Sequence, residues 1–443
     1  MIKNRSTFST GFGFILAASG SAIGLGNIWG FPTMVANNGG AAYVLTYLIM
    51  VLLLALPVLI TEILIGYHSQ SNQIDALAKI SGRKNIGIGV GYSSFVVAML
   101  ILSFYAIVGG WVLGFAIYYA MHLIGVDASW FITNSAPRNI LLTAVFLVIT
   151  AIIVAKGVKN GIEKWSTRLM PLLLLILILL IIYVSQKSGA IEGLKHYIIP
   201  DFSKVLHRSI LLDAIGQAFF SLSLGVGTML VYGSYIRPNS NVVKLSCSVA
   251  ILDVTIAILA GLLIIPAMFV AQNNGVEIMN GDQIIGGVGV VFAVLPELFN
   301  GLLHWQMIVP VAFFMLLLMA AVTSSISMLE VPSSVINERW GKPKPIATYS
   351  ITLVISAMSL IIIAYFEQLF GLIITVATQY AQPLLGLAFC LIVGWIWKRG
   401  EQLATLTRGN PETEKSLFWR IWPFYIKYIC PLLIVAMFTQ SFI

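Results

Sequence analysis

Gly11-Phe-Gly-Phe-Ile-Leu-Ala-Ala-Ser-Gly-Ser-Ala-Ile-Gly-Leu-Gly-Asn27 opens an apolar segment that carries too much glycine to stay helical throughout. Glycines stand at 11, 13, 20, 24 and 26, and Pro32 follows. Each glycine costs a helix interior about 1 kcal/mol relative to alanine. Close helix packing is one use for such small residues. A second stretch of the same kind, Phe219-Phe-Ser-Leu-Ser-Leu-Gly-Val-Gly227, lies in the other half of the chain. The two fall in the first and sixth apolar spans, which correspond if spans one to five repeat as six to ten. Paired glycine-interrupted spans in corresponding positions point to a transporter's binding site. A five-span repeat inverts its second copy in the membrane. Broken backbone at that depth survives only where something satisfies its N–H and C=O groups. A bound ion and a bound zwitterion would satisfy both kinds.

The rest of the chain supports a membrane setting. Of 443 residues, 59% are hydrophobic and 9% charged, too little charge to cover a soluble protein of this length. Apolar runs of about 18 or more residues recur, each able to cross ~30 Å of hydrocarbon. Spans are expected near 11–36, 41–67, 87–122, 139–155, 164–184, 211–237, 243–273, 303–337, 345–365, 371–397 and 418–440. Met1 to Ser9 is short and polar and lacks a small-residue cleavage site, so the first span is read as retained. The expected architecture is an all-α polytopic membrane protein of about eleven helices. It divides into a first inverted repeat (1–184), an outer loop (185–210), a second repeat (211–397), an inner loop (398–417) and helix eleven (418–443). With the N-terminus inside, the inward loops and tail hold 19 of the 25 Lys and Arg residues and the outward loops five; Lys427 lies within the last span. This positive-inside pattern accounts for the net charge of +8 without nucleic acid and puts the C-terminus outside.

Polar groups in apolar helices carry the chemistry. Asp253 sits deep in the seventh span, where a carboxylate costs roughly 2.5–3.5 kcal/mol. Glu62 in the second span is similar, and could receive N–H groups freed by the break in span one. Ala320-Ala-Val-Thr-Ser-Ser-Ile-Ser327 places four hydroxyls on eight residues of the eighth span. Such hydroxyls commonly bond back to carbonyls one turn earlier; they are also hard ligands for alkali cations. Cys247, Cys390 and Cys430 have no metal spacing, and the five histidines form no pair, so an intramembrane enzyme is not expected.

In order along the chain stand Gly24-Leu-Gly-Asn-Ile-Trp-Gly-Phe-Pro32, Asn38-Gly-Gly-Ala41, Pro200-Asp-Phe-Ser-Lys204, Gly216-Gln-Ala-Phe-Phe-Ser-Leu-Ser-Leu-Gly225 and Thr323-Ser-Ser325. With these motifs the chain resembles the neurotransmitter:sodium symporters, especially their bacterial amino-acid branch. That family is itself a standing example of the inverted-repeat arrangement. The resemblance implies two sodium sites. The first would use the carbonyl of Ala22, Asn27, Ser221, Asp253 and the substrate carboxylate. The second would use carbonyls of Gly20, Ile23 and Ala320 with the hydroxyls of Thr323 and Ser324. About five oxygens suit sodium without any soft ligand. The substrate would lie between the broken helices, against Ser21 and Ala22. Its carboxylate would meet the amides of Leu25 and Gly26 and the hydroxyl of Tyr105. Its amino group would meet carbonyls of Ala22, Phe220 and Ser221 and the Ser223 hydroxyl, under a Phe220 lid. Ile101, Val226, Ser324 and Met328 would line the side-chain pocket.

Family members that carry monoamines have an aspartate where this chain has Gly24, which favours an amino acid here. The uncharged pocket, with Val226 in place of a larger residue, favours an apolar or aromatic one. The family's outer charged pair is replaced by Gly30 and Ile374. At the inner gate Arg5 would pair with Glu338 beside Ser234 and Tyr235, and Phe8 replaces the usual tryptophan. Gly161 and Pro171 match the family's place of local unwinding in span five. Asp253 supplies the charge that chloride supplies elsewhere, so chloride is not expected. The implied function is sodium-coupled import of an apolar or aromatic amino acid by alternating access, in a bacterial inner membrane. A sensor of the same fold that binds without net transport is the alternative.

Overall fold

The computed structural model describes residues 6–200, 202, 207–276, 279–280, 283–284, 291–292, 295–296 and 307–440. Arg5, most of the Pro200–Lys204 motif and most of the loop around 274–300 lie outside these. The described chain is helical apart from loops and one two-stranded antiparallel pairing of Met279–Asn280 with Gln283–Ile284.

Span one is a bent pair, Gly11–Ala22 and Gly26–Asn37, at 60° to each other. Spans two to five are Ala41–Ser69, Lys84–Leu123, Ala136–Ala155 and Val158–Ser185. Span six is also broken, with helix Arg208–Ser221 before the gap and Thr228–Gly233 after it. Spans seven to eleven are Val242–Asn273, Ile308–Glu338, Lys344–Ala364, Phe366–Ile396 and Leu417–Phe438. Eleven spans were expected and their positions agree.

The packing obeys the expected repeat. Span one lies on span seven as span six lies on span two, and spans three and eight pack on each other. Spans three and four pair as eight and nine do. Exchanging one with six, two with seven and three with eight leaves these neighbours unchanged. Glycine sets several close approaches. A Cβ on Gly66 would meet the carbonyl of Leu230 at 1.9 Å, and one on Gly233 that of Ile63 at 2.5 Å, so spans two and six touch backbone to backbone.

Several spans contain π turns, at Gly26–Gly30, Val51–Ala55, Val158–Glu163, Thr375–Ala381, Ile392–Ile396 and Tyr425–Ile429. Span five is therefore not unwound between Gly161 and Pro171. It carries a π turn and then continues as helix Lys164–Ser185 with Pro171 inside.

Candidate functional site

The first break begins where Ile23 leaves helical geometry, its backbone ψ at 96°. Its freed groups find side-chain partners, on other spans and on the second half of span one itself. Ser324 Oγ donates to the carbonyls of Gly20 and Ile23 at 3.3 and 3.1 Å. Leu25 N–H donates to Tyr105 Oη at 3.4 Å, and Gly24 N–H to Asn27 Oδ1 at 3.3 Å. Span six breaks through left-handed residues: Ser223, Gly225 and Gly227 have φ of 51°, 83° and 88°. Glycine takes this conformation freely, whereas Ser223 holds it at a cost. The Gly225 N–H freed there donates to Glu62 Oε1 at 2.6 Å. Glu62 thus serves the break in span six, not the one in span one.

Between the breaks lies a buried polar knot. Asn27 Nδ2 donates to Asp253 Oδ1 and to Ser221 Oγ, both at 2.8 Å. Ser221 Oγ donates to Asp253 Oδ2 at 2.7 Å, and Tyr47 Oη donates to Ser221 Oγ at 3.1 Å. All four residues are buried. The structure thus brings together Asn27, Ser221 and Asp253, which stand in three separate spans. A second cluster forms where Thr323 and Ser324 face the end of helix Gly11–Ala22. Thr323 Oγ1 donates to the carbonyls of Met319 and Ala320, so Ala320, Thr323, Gly20, Ile23 and Ser324 converge. Met170 of span five packs over Gly20, with Sδ 3.1 Å from where a Cβ would stand. Among the described residues, no three of His, Cys, Asp and Glu come together as a metal site. One carboxylate among hydroxyls and carbonyls suits a hard monovalent cation.

A cavity of about 40 Å³ adjoins the first cluster. Ala22, Leu25, Gly26, Ile101, Tyr105, Phe220, Ser223, Val226, Ser324 and Met328, each named above for the substrate, line it together with Gly24, Asn27, Phe104 and Gln382, which were not. Ser21 and Ser221 stand outside the lining. Ser21 contributes its carbonyl to Ser223 Oγ at 3.3 Å, and its own Oγ is buried without a partner. The cavity is small because Phe220 lies across Gly26, where an added Cβ would come within 2.4 Å of the ring. Above Gly24 the fit is tight as well, though less so: a Cβ would meet Ser324 Oγ at 3.0 Å and Tyr105 Oη at 3.2 Å.

Phe220 also floors a wider cavity of about 550 Å³, bordered by Gly30, Gln217, Thr378, Gln379 and Gln382. Nothing lies within 4 Å of a Cβ placed on Gly30. Ile374 packs against the apolar core one turn before the residues that face Gly30 across this vestibule. The opposite end of the bundle is plugged. Phe8 is buried against Phe14, Tyr232 and Tyr235, its N–H donates to the carbonyl of Tyr235 at 3.0 Å, and Arg237 Nε donates to its carbonyl. Tyr235 donates to Glu330 Oε1 at 2.6 Å, and Lys344 pairs with Glu330 Oε2. Glu330 and Lys344 were missed from the sequence, although a carboxylate in an apolar helix is a readable signal. Glu338 Oε2 accepts the Asn72 N–H at 2.8 Å, and Arg339 pairs with Asp75. Arg5, the expected partner of Glu338, lies outside the described residues.

The sodium:neurotransmitter symporter family model matches residues 5–139 and 132–443. The sodium-dependent transporter YhdH of Bacillus subtilis is 31% identical over 97% of this chain and 96% of its own. A sodium-dependent transporter of Haemophilus influenzae is 30% identical over 99% and 98%. The crystal structure of MhsT in complex with L-phenylalanine superposes with a TM-score of 0.85 at 34% identity, covering 99% of this chain and 100% of that one. The broken spans, the neighbour relations and these matches agree: the chain is a multi-pass membrane protein of the sodium:neurotransmitter symporter family.

Proposed function

We propose that this protein imports an apolar or aromatic amino acid, driven by sodium. The observation that carries the reading is the Asn27–Ser221–Asp253 knot at the meeting of both helix breaks. An ion entering there takes the Asp253 carboxylate and the Ser221 hydroxyl. With its amide turned end for end, Asn27 offers an oxygen in place of Nδ2. The carboxylate of an amino acid completes the shell and accepts from Leu25 and Gly26, at the start of the second half-helix, where backbone N–H groups favour an anion. Tyr105 donates to it once Leu25 N–H is engaged by the substrate.

Absence of room above Gly24 supports a substrate that brings its own carboxylate. Ile101, Val226 and Met328 offer the side chain only apolar surface. Phenylalanine in the similar MhsT structure is in keeping with this. Thr323, Ser324 and the carbonyls of Gly20, Ile23 and Ala320 form the second sodium site. Phe220 withdraws from Gly26 to admit substrate from the vestibule, then closes over it. On the opposite side, release of Phe8 opens the inner path. The charge asymmetry supports a cytoplasmic N-terminus; the membrane is a bacterial inner membrane, and chloride is not required because Asp253 supplies the anion.

Uptake of a labelled amino-acid mixture into proteoliposomes, with and without an inward sodium gradient, tests the reading. Sodium-driven accumulation of phenylalanine, leucine or a similar residue, lost in Asp253→Ala, supports it. Sodium-dependent binding without accumulation would establish a sensor instead.

A further inference from the structure

Lys427 is a cation inside an apolar span that the transport site does not use. It borders a cleft of about 490 Å³ between the end of span ten and the start of span eleven. Lys398, Arg399 and Arg420 border the same cleft, and no Asp or Glu does. None of the four takes part in an ion pair among the described residues. The nearby carboxylate of Glu401 accepts from the Trp397 indole instead, at 3.1 Å.

Neighbours hold both the backbone and the ammonium of Lys427. Gly394 packs against it so closely that a Cβ would meet Lys427 Cα at 2.7 Å, and Trp395 Nε1 donates to its carbonyl at 3.0 Å. The ammonium stands 4.3 Å over the Trp395 ring and 5.4 Å over that of Tyr428. Both rings are exposed on the bundle's outer surface, as aromatic residues are at a membrane–water boundary. The cleft lies at the same end as the Phe8 plug, with the Trp397 ring against His68 at the close of span two. A cluster of basic residues at the membrane–water boundary, with no acidic partner among the described residues, attracts an anion from outside the chain. A phosphate suits them, since guanidinium binds it through paired hydrogen bonds and ammonium as a point charge.

A second cavity says which phosphate. Trp422 borders both the basic cleft and an apolar groove of about 290 Å³ between spans two and eleven, lined by Leu52, Leu56, Ile60, Phe418 and Ile421. A basic pocket beside an apolar groove fits a headgroup with its acyl chain. We propose that this cleft binds the headgroup of an anionic phospholipid of the inner leaflet. The site is independent of which substrate the protein carries.

The test uses the full chain purified in mild detergent after exposure to mixed phosphatidylglycerol and phosphatidylcholine. Lipid retained per chain is counted by mass spectrometry. Wild type should retain phosphatidylglycerol over phosphatidylcholine by roughly fivefold or more. Arg420→Gln/Lys427→Gln and, separately, Lys398→Gln/Arg399→Gln should bring that ratio close to one. Lys84→Gln/Lys342→Gln, which removes two cations from the same end of the bundle, should leave it unchanged. Should the first pair fail to fold, the second decides, because Lys398 and Arg399 are exposed at a helix start. An absence of preference in wild type, an equal loss in the Lys84/Lys342 variant, or full displacement of the lipid by millimolar inorganic phosphate would overturn the proposal.

Discussion

Glu62 of span two accepts the backbone N–H of Gly225 at 2.6 Å, in the middle of the break in span six, and both are buried. One side chain thus supplies what a helix would have supplied to that amide. Removing it leaves a buried N–H without a partner, which costs about 1–3 kcal/mol. Glu62→Ala should lower the melting temperature and abolish uptake. Glu62→Gln keeps an acceptor and should retain most of both. Thermal melts in detergent and uptake in proteoliposomes check the pair.

Asp253 is the sole carboxylate of the Asn27–Ser221 knot. Asp253→Asn preserves shape and removes the charge. The sodium concentration that half-saturates substrate binding should then rise by roughly tenfold or more, equivalent to about 1.4 kcal/mol. Scintillation proximity binding at graded sodium measures it. An unchanged sodium dependence would remove Asp253 from the ion site.

Gly26→Ala places a methyl group where the Phe220 ring now lies. The ring is 40% exposed and can swing into the vestibule, so the fold should survive. Closure over the substrate should not. Apparent affinity should fall by roughly tenfold or more, with the melting temperature little changed. Gly26→Ala/Phe220→Leu should recover part of the loss.

Glu330 is buried and divided between Tyr235 and Lys344. Lys344→Met strands a buried carboxylate and should destabilise the protein by about 3 kcal/mol, as loss of one partner of a buried pair does. Glu330→Gln/Lys344→Met removes the charge as well and should be closer to wild type than either single change. A double-mutant cycle on melting in detergent reads the coupling.

The parts of the site that were legible in the sequence are those that violate a local rule. Glycines in spans one and six deny a helix its stability, and Asp253 denies an apolar helix its uniformity. Thr323 and Ser324 crowd hydroxyls where one would go unnoticed. Each departure is visible without knowing what lies opposite. The partner of Glu62 was misplaced because a carboxylate in an apolar helix announces that it has a partner, and only packing shows which one. Met170 and Phe104 were missed for a different reason. Apolar residues in apolar helices break no rule, and only the rotational setting of spans three and five turns them toward the site. Gln382 follows from the same setting, through span ten.

The π turn over Val158–Glu163 has a mechanical meaning. A π turn stores one residue more than an α turn over the same stretch. Passing that surplus along a helix by one position exchanges a single hydrogen bond for another, yet everything between the old and new positions rotates by about 100° and advances about 1.5 Å. Span five begins with such a surplus, which ends at Glu163, whose Oε2 holds the N–H of Ser9 at 2.7 Å. A screw motion of that first turn would therefore tug directly on the chain that carries the Phe8 plug, while Met170, further along, stayed seated on Gly20.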